Sequence, residues 1–289
     1  MPELPEVEVV KRSLEKKILN MIIKKVKIND GNLRYKINKV KISRLVGKRI
    51  IKIKRRSKFL IFKISEKYVM LIHLGMTGKF FYINKERKKF KTSFYYNIDQ
   101  KKDQKYDRIV FYLQNQQKLI YNDVRKFGFI KILNQDEIYK NFHLKNLGPE
   151  PLKKNFNYNY LKHYIFGRER MVKDLLMDQK CVSGLGNIYV NEILFSCNIN
   201  PFRKVKTLKN FEIKKIVKNT KKILNKSIRL GGSSIKNFSS YDGKKGEFQQ
   251  QFKVYGREDK KCSNIDCNKS ITRSVISNRA SFFCKSCQK

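Results

Sequence analysis

The chain has 289 residues with 67 Lys or Arg against 24 Asp or Glu, a formal net charge of +43. Its 40% hydrophobic content excludes wholesale disorder, no run of 18 apolar residues could span a membrane, and the N-terminus lacks the apolar segment of a secretory signal. We therefore expect a soluble cytoplasmic protein of about two domains with a polyanionic partner, nucleic acid before any other.

An amphipathic helix is predicted at the N-terminus, with Pro5 as its first residue because the N–H that proline lacks is unpaired there anyway. Val9, Val10, Leu14 and Ile18 share one face of this helix. From about residue 22 to 133 the pattern changes to short β-branched and aromatic runs. Strands are predicted at 50–53, 59–62, 69–72, 109–112 and 129–132. Several short strands without regular helices between them favour a sandwich or barrel.

Residues 147–152 carry the proline and glycine of a linker, and helical periodicity follows it. Helices are predicted at 161–166, 171–177, 188–195 and 211–230, the last ended by Gly231 and Gly232. The polar segment 233–247 is predicted to be a mobile loop. The chain is therefore expected to be α+β, with an N-terminal helix and β-sandwich followed by a helical domain.

The positive charge is spread almost evenly along the chain. Residues 1–150 have 37 basic and 14 acidic side chains, and residues 151–289 have 30 and 10. An even excess does not locate a binding face, and a compositional drift toward lysine contributes to it. Charge alone therefore supports affinity for nucleic acid but no specific activity.

Four cysteines near the C-terminus have the spacing of a metal site. Cys262 and Cys267 form a C-x4-C pair, and Cys284 and Cys287 form a C-x2-C pair 16 residues later. Four thiolates suit one tetrahedral, structural Zn²⁺, as in zinc ribbons. Two disulfides are the alternative, which a cytosolic location disfavours. Cys181 and Cys197 lie in helical surroundings and are expected to be buried thiols.

The N-terminus offers a second chemical signal. If Met1 is removed, Pro2 becomes a free secondary amine that can attack an electrophilic sugar carbon and form an iminium. Glu3 is placed to transfer protons during that attack. On these residues alone, a helix-starting proline with a glutamate that compensates the helix dipole is the favoured explanation of the pattern.

Ordered motifs along the whole chain resemble bacterial formamidopyrimidine-DNA glycosylase, an 8-oxoguanine repair enzyme. They are MPELPEVE at 1–8, RRSK at 55–58, HLGMTG at 73–78, DVRKFG at 123–128, LGPEPL at 147–152, LLMDQ at 175–179 leading into GLGNIY at 184–189, and VYGR at 254–257 before the closing zinc finger. This resemblance implies a bifunctional DNA glycosylase/AP lyase that removes oxidised purines from damaged double-stranded DNA as a monomer. It also implies five parts: a catalytic β-sandwich domain 1–134, a linker 135–152, a helix–two-turn–helix domain 153–232, a lesion-capping loop 233–252 and a zinc finger 253–289.

The family roles transfer to matching positions of this chain. The resemblance implies catalytic roles for Pro2 as nucleophile, Glu3 as acid/base, Lys58 as proton donor for β-elimination, and Arg279, on the zinc-finger hairpin, in δ-elimination. Without it, Lys58 would be assigned as a solvated strand lysine. Implied DNA contacts are His73, Met76, Tyr106, Arg125, Phe127, Arg168, Asn187 and Tyr255. Among these, Met76, Arg125 and Phe127 would fill the void left by a flipped nucleotide, and the turns at Gly75 and Gly128 favour their exposure over burial in the core.

Two departures from the family pattern are visible. The first knuckle is C-x4-C instead of the usual C-x2-C, and Tyr106 replaces a DNA-contacting histidine. Two alternatives stay open: an endonuclease VIII-like enzyme for oxidised pyrimidines, and a non-catalytic zinc-ribbon DNA-binding protein. Leu4 and the turn at 73–78 favour the purine branch, while the joint presence of Pro2, Glu3, Lys58 and Arg279 favours an enzyme.

Overall fold

The structure, a computed structural model, describes residues 1–84, 86, 89–92, 104–233 and 248–289, with only the backbone described at 89–92. The chain divides into two compact units. The first comprises residues 1–145 and 230–247, and the second comprises 146–229 and 248–289. The capping loop predicted at 233–252 lies largely outside the described residues, and the five-part division of the chain stays a prediction.

The first unit opens with helix α1, Leu4–Ile18, which begins one residue earlier than predicted. Pro5 fits the second position because the N–H groups of the whole first turn have no partner within the helix. Val10, Leu14 and Ile18 of the predicted face are buried, Val9 is half-buried against the same core, and Val7, which was not predicted, is buried with them. The helix packs this face mainly against strand β2, Ile50–Arg56.

Two antiparallel sheets form the body of the first unit, as the sandwich prediction requires. One has the order β2-β3-β4-β9 and the other β1-β7-β8-β5-β6. The remaining strands are β1 Ile23–Ile28, β3 Phe59–Ile64, β4 Tyr68–His73, β5 Lys79–Ile83, β6 Lys89–Thr92, β7 Asp107–Leu113, β8 Lys118–Asn122 and β9 Phe129–Asn134. All five predicted strands lie within these bounds. Strands β1, β5, β6 and β8 were not predicted, because lysines interrupt or border their short apolar runs.

The hydrophobic core of the first unit lies between the sheets. Phe62 of the four-stranded sheet stacks on Phe80 of the five-stranded sheet, with 6.2 Å between ring centroids. Inward side chains from both sheets and from α1 join one buried cluster. The unit also contains two short helices: α2, Lys39–Ser43, lies between β1 and β2 in the chain, and α3, Phe142–Lys145, follows β9.

The second unit contains helices that agree with the prediction to within three residues at each end. They are α4 Tyr158–Ile165, α5 Val172–Met177, α6 Asn187–Cys197 and α7 Asn210–Arg229. Gly231 and Gly232 follow α7 with φ of 80° and 83°, a left-handed conformation that stops a helix. Among the described residues, no helix is both long and apolar enough to cross a bilayer.

The unit ends in a two-stranded hairpin formed by β10, Thr272–Ile276, and β11, Arg279–Phe283. Ser277 and Asn278 connect the strands with φ of 46° and 58°, as a two-residue type I′ turn requires. Arg279 is the first residue after this turn, which confirms the predicted hairpin between the cysteine pairs.

Candidate functional site

The residues at the start of α1 are held by one carboxylate. Glu3 is only 4% exposed, and its N–H donates to Glu6 Oε2 over 2.9 Å. Glu6 Oε1 accepts hydrogen bonds from the backbone N–H and the hydroxyl of Ser233, both at 2.8 Å. Pro2 is buried immediately before this network. The predicted nucleophile and acid/base residue therefore occupy a fixed turn of backbone.

A pocket of about 660 Å³ lies beside the N-terminus in the first unit. Met1, which is 45% exposed, forms part of its wall. The other lining residues are Arg34, His73, Gly75, Met76, Arg125, Lys126 and Phe127. The pocket thus brings four of the predicted DNA contacts together with the chain start, and its mixture of cations and apolar side chains suits phosphates and bases. Tyr106 is not among the residues that line this pocket.

Lys58 lies in the turn between β2 and β3, after Ser57 with a φ of 54°. It is 6% exposed, so the assignment of a solvated strand lysine is wrong. Arg55 braces this turn, because its Nε lies 2.9 Å from Glu8 Oε2 of α1 and its guanidinium also donates to Ser57 O over 2.9 Å. The turn that carries Lys58 is thereby tied to the helix that follows Pro2.

His73 ends β4 and is held as a neutral ring. Its Nδ1 accepts a hydrogen bond from Gly75 N over 3.1 Å, so the proton of the neutral ring is on Nε2. Burial, followed by the positive charges of Lys58, Arg34, His143 and the amino terminus, lowers the pKa of His73 to about 3. His73 can therefore donate one hydrogen bond without carrying a charge.

Met76 and Phe127 protrude from two turns that touch each other. They are 38% and 45% exposed, which confirms that they are not core residues. A Cβ added at Gly75, whose φ is +62°, would lie 2.4 Å from Gly128 N, so the turns meet backbone to backbone. The guanidinium of Arg125 lies 4.5 Å from the centre of the Phe127 ring. The predicted void-filling side chains thus form one exposed cluster.

A buried carboxylate, to which no role could be assigned from sequence, joins these two turns. Asp123 is fully buried; Thr77 donates its hydroxyl to Asp123 Oδ1, and Gly128 N donates to Asp123 Oδ2 over 2.8 Å. Thr77 Oγ1 in turn accepts from Arg125 N over 3.0 Å. Each turn therefore depends on the other through Asp123. The one sequence feature that could have indicated a role for Asp123 is its position as the first residue of the segment 123–128.

Tyr106, at the end of a 3₁₀ turn before β7, is half-buried. The Lys105 ammonium lies 4.9 Å from the ring centre and the Arg108 guanidinium 5.6 Å. The face of the Tyr106 ring thus attracts two cationic side chains through cation–π contacts. Unlike the histidine that it replaces, Tyr106 has no basic group of its own. Its contact with DNA stays a prediction.

In the second unit, the hairpin of Arg279 is anchored from below its exposed tip. Lys173 of α5 donates to Ala280 O over 2.8 Å and to Ser281 Oγ over 2.6 Å. Asn187, the first residue of α6, donates its side-chain amide to the same Ala280 O over 2.9 Å. Burial lowers the pKa of Lys173 to about 8. Lys173 and Asn187 therefore position the hairpin, a structural relationship that sequence spacing did not predict.

Arg168 and Tyr255, the other predicted DNA contacts of this unit, have different surroundings. Arg168 is exposed after α4, with its guanidinium 4.5 Å from the ring centre of Tyr164. Tyr255 is half-buried, with its ring 5.2 Å from that of Phe282. The buried carboxylate of Glu192 accepts the N–H of Tyr255 and of the two residues before it, which fixes this segment against α6.

Cys262, Cys267, Cys284 and Cys287 converge, and their sulfur atoms all lie within 4.8 Å of one another. The sulfur–sulfur separations of 3.6 and 3.8 Å are far from the ~2.05 Å of a disulfide, and all four are free thiols. Four thiols at this distance can hold one metal ion. Cys181 and Cys197 lie outside the cluster and are buried, as predicted.

Comparison with known proteins gives consistent matches along the chain. Residues 1–130 match the model of the formamidopyrimidine-DNA glycosylase N-terminal domain, and residues 147–239 match that of its H2TH (helix–two-turn–helix) domain. The formamidopyrimidine-DNA glycosylase of Rickettsia bellii is 40% identical over 289 residues, with all of both chains covered. That of Rickettsia canadensis is 38% identical over 288 residues, covering 100% of this chain and 99% of the relative.

Solved structures agree with these sequence matches. Wild-type Lactococcus lactis Fpg, in complex with DNA that contains N7-benzyl-Fapy-dG, is 32% identical with a TM-score of 0.85, and both chains are fully covered. A complex of Lactococcus lactis Fpg with DNA containing an abasic site has the same identity and TM-score over 99% of each chain. On these identities and coverages, the chain belongs to the formamidopyrimidine-DNA glycosylase family.

Proposed function

We propose that this protein is a bifunctional DNA glycosylase/AP lyase that excises oxidised purines, chiefly 8-oxoguanine opposite cytosine and formamidopyrimidines, from damaged duplex DNA. It acts as a monomer in the bacterial cytosol, where it reaches the nucleoid. The observation that carries the proposal is the start of α1. There, the buried Pro2 directly precedes Glu3, whose backbone N–H is held by Glu6, and Met1 lines the pocket that His73 and Met76 also line.

Pro2 acts as the nucleophile once Met1 is removed. Its secondary amine attacks C1′ of the damaged nucleotide, and the base leaves with the electrons of the glycosidic bond. The nitrogen then loses its proton, its lone pair forms the C1′=N bond of an iminium, and the C1′–O4′ bond breaks so that the sugar ring opens and O4′ takes up a proton. Glu3 transfers the protons that this exchange requires. Because Met1 contributes to the pocket wall, its removal both frees the amine and opens the pocket next to it.

The iminium then acidifies the protons on C2′, and loss of one of them expels the 3′ phosphate by β-elimination. Lys58, buried in the turn that Arg55 ties to α1, serves as proton donor and phosphate contact in this step. Arg279 assists δ-elimination of the 5′ phosphate, which leaves a one-nucleotide gap. The exposed position of Arg279 on an anchored hairpin supports a phosphate contact.

Base excision from a duplex requires the nucleotide to be flipped out, at a cost of a few kcal/mol. The exposed Met76 and Phe127 would occupy the vacated space, and Arg125 would face the unpaired cytosine. His73, Tyr106, Arg168, Asn187 and Tyr255 are proposed to contact the surrounding DNA. Segment 233–252 would close over the flipped base.

The four-cysteine cluster is proposed to hold one Zn²⁺ with a structural role. Thiolate ligands select zinc, and four protein ligands leave no open position for a substrate. When bound, the ion would fix the ends of the β10–β11 hairpin. The position of Arg279 would then depend on the metal, while the proposed reaction uses the amine of Pro2 and the side chains of Glu3, Lys58 and Arg279.

Activity on oxidised purines is favoured over activity on oxidised pyrimidines. A similar solved structure contains a formamidopyrimidine derivative of deoxyguanosine in its DNA. A second candidate, a non-catalytic DNA-binding protein, is disfavoured because Glu3 and Lys58 are both buried in the first unit, at a cost that DNA binding alone would not require.

The proposal is tested by borohydride reduction during incubation with a duplex that contains a single 8-oxoguanine opposite cytosine. We expect a covalent protein–DNA adduct that peptide mass spectrometry assigns to Pro2, and an intact mass that lacks Met1. A chain with residues fused in front of Met1 serves as the matched control, because it cannot expose the amine. An adduct on a lysine, or equal adduct yield from the fused chain, would exclude Pro2. Preferred excision of thymine glycol would instead support the pyrimidine branch.

A further inference from the structure

Helix α7 presents a continuous cationic face to solvent. Lys214, Lys215, Lys218, Lys222, Lys226 and Arg229 are exposed, and Lys221 is partly exposed. At 100° per residue these seven side chains fall within about 140° of the helix circumference. The only acidic residue of α7, Glu212, is buried and pairs with Arg203 over 2.6 Å. The exposed face therefore carries positive charge without a compensating carboxylate of its own.

Compositional drift toward lysine does not explain this face. Such drift would affect α1 and α7 alike, yet α1 contains three glutamates in addition to its four cationic residues. Two of those cations are paired, Lys11 with Glu15 over 2.6 Å and Arg12 with Glu8 over 3.0 Å. Within the described part of the chain, no exposed cation of α7 lies within 4.0 Å of a carboxylate.

The arrangement is unfavourable in isolation. Lys214, Lys218, Lys222 and Lys226 follow one another at four-residue spacing, where like charges destabilise a helix by a few tenths of a kcal/mol per pair. A bound polyanion would relieve this repulsion. From Lys214 to Arg229 the cationic face spans about 22 Å, which corresponds to the rise of six to seven base pairs of B-DNA.

The neighbouring helix α4 extends the same surface. The ammonium groups of Lys214 and Lys162 lie 5.3 and 5.7 Å from the ring centre of Tyr158. One half-buried ring thus orients a cation from each helix. The buried side of α7 packs against α4 and α6, so its apolar face is not available for insertion into a membrane.

We propose that the cationic face of α7, with Lys162 of α4, is a second DNA-binding surface that holds an undamaged duplex segment through its phosphates. Lysines contact phosphates as point charges without reading base sequence, so this binding is independent of sequence. A second contact would let the enzyme hold one segment while another is searched. The inference concerns α7 alone and does not depend on the chemistry proposed for Pro2.

The test compares two variants of the full chain with equal loss of charge. One replaces Lys214, Lys218, Lys222 and Lys226 by glutamine, and the control replaces the exposed Lys24, Lys27, Lys39 and Lys48. Sedimentation velocity with labelled undamaged 30-base-pair duplex at low salt should show two duplexes per wild-type and control chain, but one per α7 variant. In the wild type, log affinity for the second duplex should fall against log salt with a slope of at least about 3 to 4, as expected for four or more phosphate contacts.

A separate arm measures excision from a 12-base-pair lesion duplex, for which KM should be the same in the α7 variant and the wild type. The proposal is overturned if the wild type binds one duplex only, or if the control loses the second duplex equally. A matching rise of KM on the short lesion duplex would place α7 in the principal DNA site instead. Equal binding of a polyglutamate peptide would assign the surface to an acidic protein.

Discussion

Glu6 accepts two hydrogen bonds from Ser233, across a sequence separation of 227 residues. The same carboxylate accepts the N–H of Glu3, one residue after the proposed nucleophile. Ser233 also marks the start of the proposed lesion-capping segment. The buried side chain of Glu6 therefore fixes both the N-terminal backbone that carries the proposed nucleophile and the first residue of the proposed capping segment. A change at either of these two places should alter the position of the other.

Replacement of Gly232 by alanine should destabilise the first unit more than a left-handed glycine alone would predict. Gly232 has a φ of +83°, and an added Cβ would lie 3.3 Å from Glu6 Oε1. Gly47→Ala is the matched control, because Gly47 has a φ of +78° with no atom within 4 Å of the added Cβ. We expect a loss of about 1 kcal/mol for the control and about 2 kcal/mol for Gly232→Ala in urea unfolding. Equal losses would show that Glu6 is not sensitive to this contact.

Asp123→Asn should impair excision by releasing the two void-filling turns. The amide would place an N–H group at one of the two positions where Thr77 and Gly128 now donate to carboxylate oxygens, so one of these hydrogen bonds would be lost. Small misplacements in an active site cost up to roughly 100-fold in rate, and we expect a loss of kcat/KM on that scale for duplex containing 8-oxoguanine. The same variant should cleave a single-stranded abasic oligonucleotide at a rate close to that of the wild type, because no void then needs filling. Thr77→Ser, which keeps the hydroxyl, should be near wild type in both assays.

Stability of the first unit should fall in mild acid because two histidines are held neutral. Burial lowers the pKa of His73 to about 3 and that of His143 to about 4. The unfolded chain binds these protons near pH 6.5, so the stabilising contribution is complete above that value and is lost progressively as the pH falls toward 4. At pH 5 the protein should have lost about 2 kcal/mol of unfolding free energy through His73. The loss through the half-exposed His143 should be smaller, because solvent screens its charge.

His143→Phe separates the two contributions. The ring of His143 stacks on Phe129 with 4.6 Å between centroids, a packing that phenylalanine can retain. The loss of unfolding free energy between pH 7 and pH 5 should be about 1 kcal/mol smaller in this variant than in the wild type. His163→Phe, at an exposed position of α4, should leave the loss unchanged. An identical acid response in all three proteins would mean that His143 is not neutralised by the fold.

Loss of one thiol from the C-terminal cluster should abolish metal binding. We expect native mass spectrometry to find one zinc per wild-type chain and none in Cys284→Ser, because three thiolates without the fourth bind zinc far more weakly. Cys181→Ser changes a buried thiol outside the cluster and should retain one zinc. Affinity for lesion DNA should fall in Cys284→Ser alone, since the proposed zinc would hold the hairpin of Arg279. Unchanged DNA affinity after zinc loss would contradict that dependence.

Much of the architecture follows from local sequence. The α1 face, the five predicted strands and the bounds of α4 to α7 arise from periodicity that near neighbours impose on each other. The four-cysteine cluster could also be predicted from sequence, because two cysteines separated by two to four residues have their thiols close together in space. The glycines beside Met76 and Phe127 correctly indicated exposed turns.

What sequence could not supply are the contacts that only packing of the sheets creates. Lys58 belongs to a lysine-rich run, and its burial is decided by the turn that Arg55 ties to α1. Asp123 meets Thr77 across 46 residues and Glu6 meets Ser233 across 227, distances over which residue spacing carries no information. Sequence thus determined the family, its motifs and the metal-binding cysteines. The tertiary structure decided which buried carboxylates hold those motifs in place, because a charged group is tolerated in a protein interior only where folding brings donors to it.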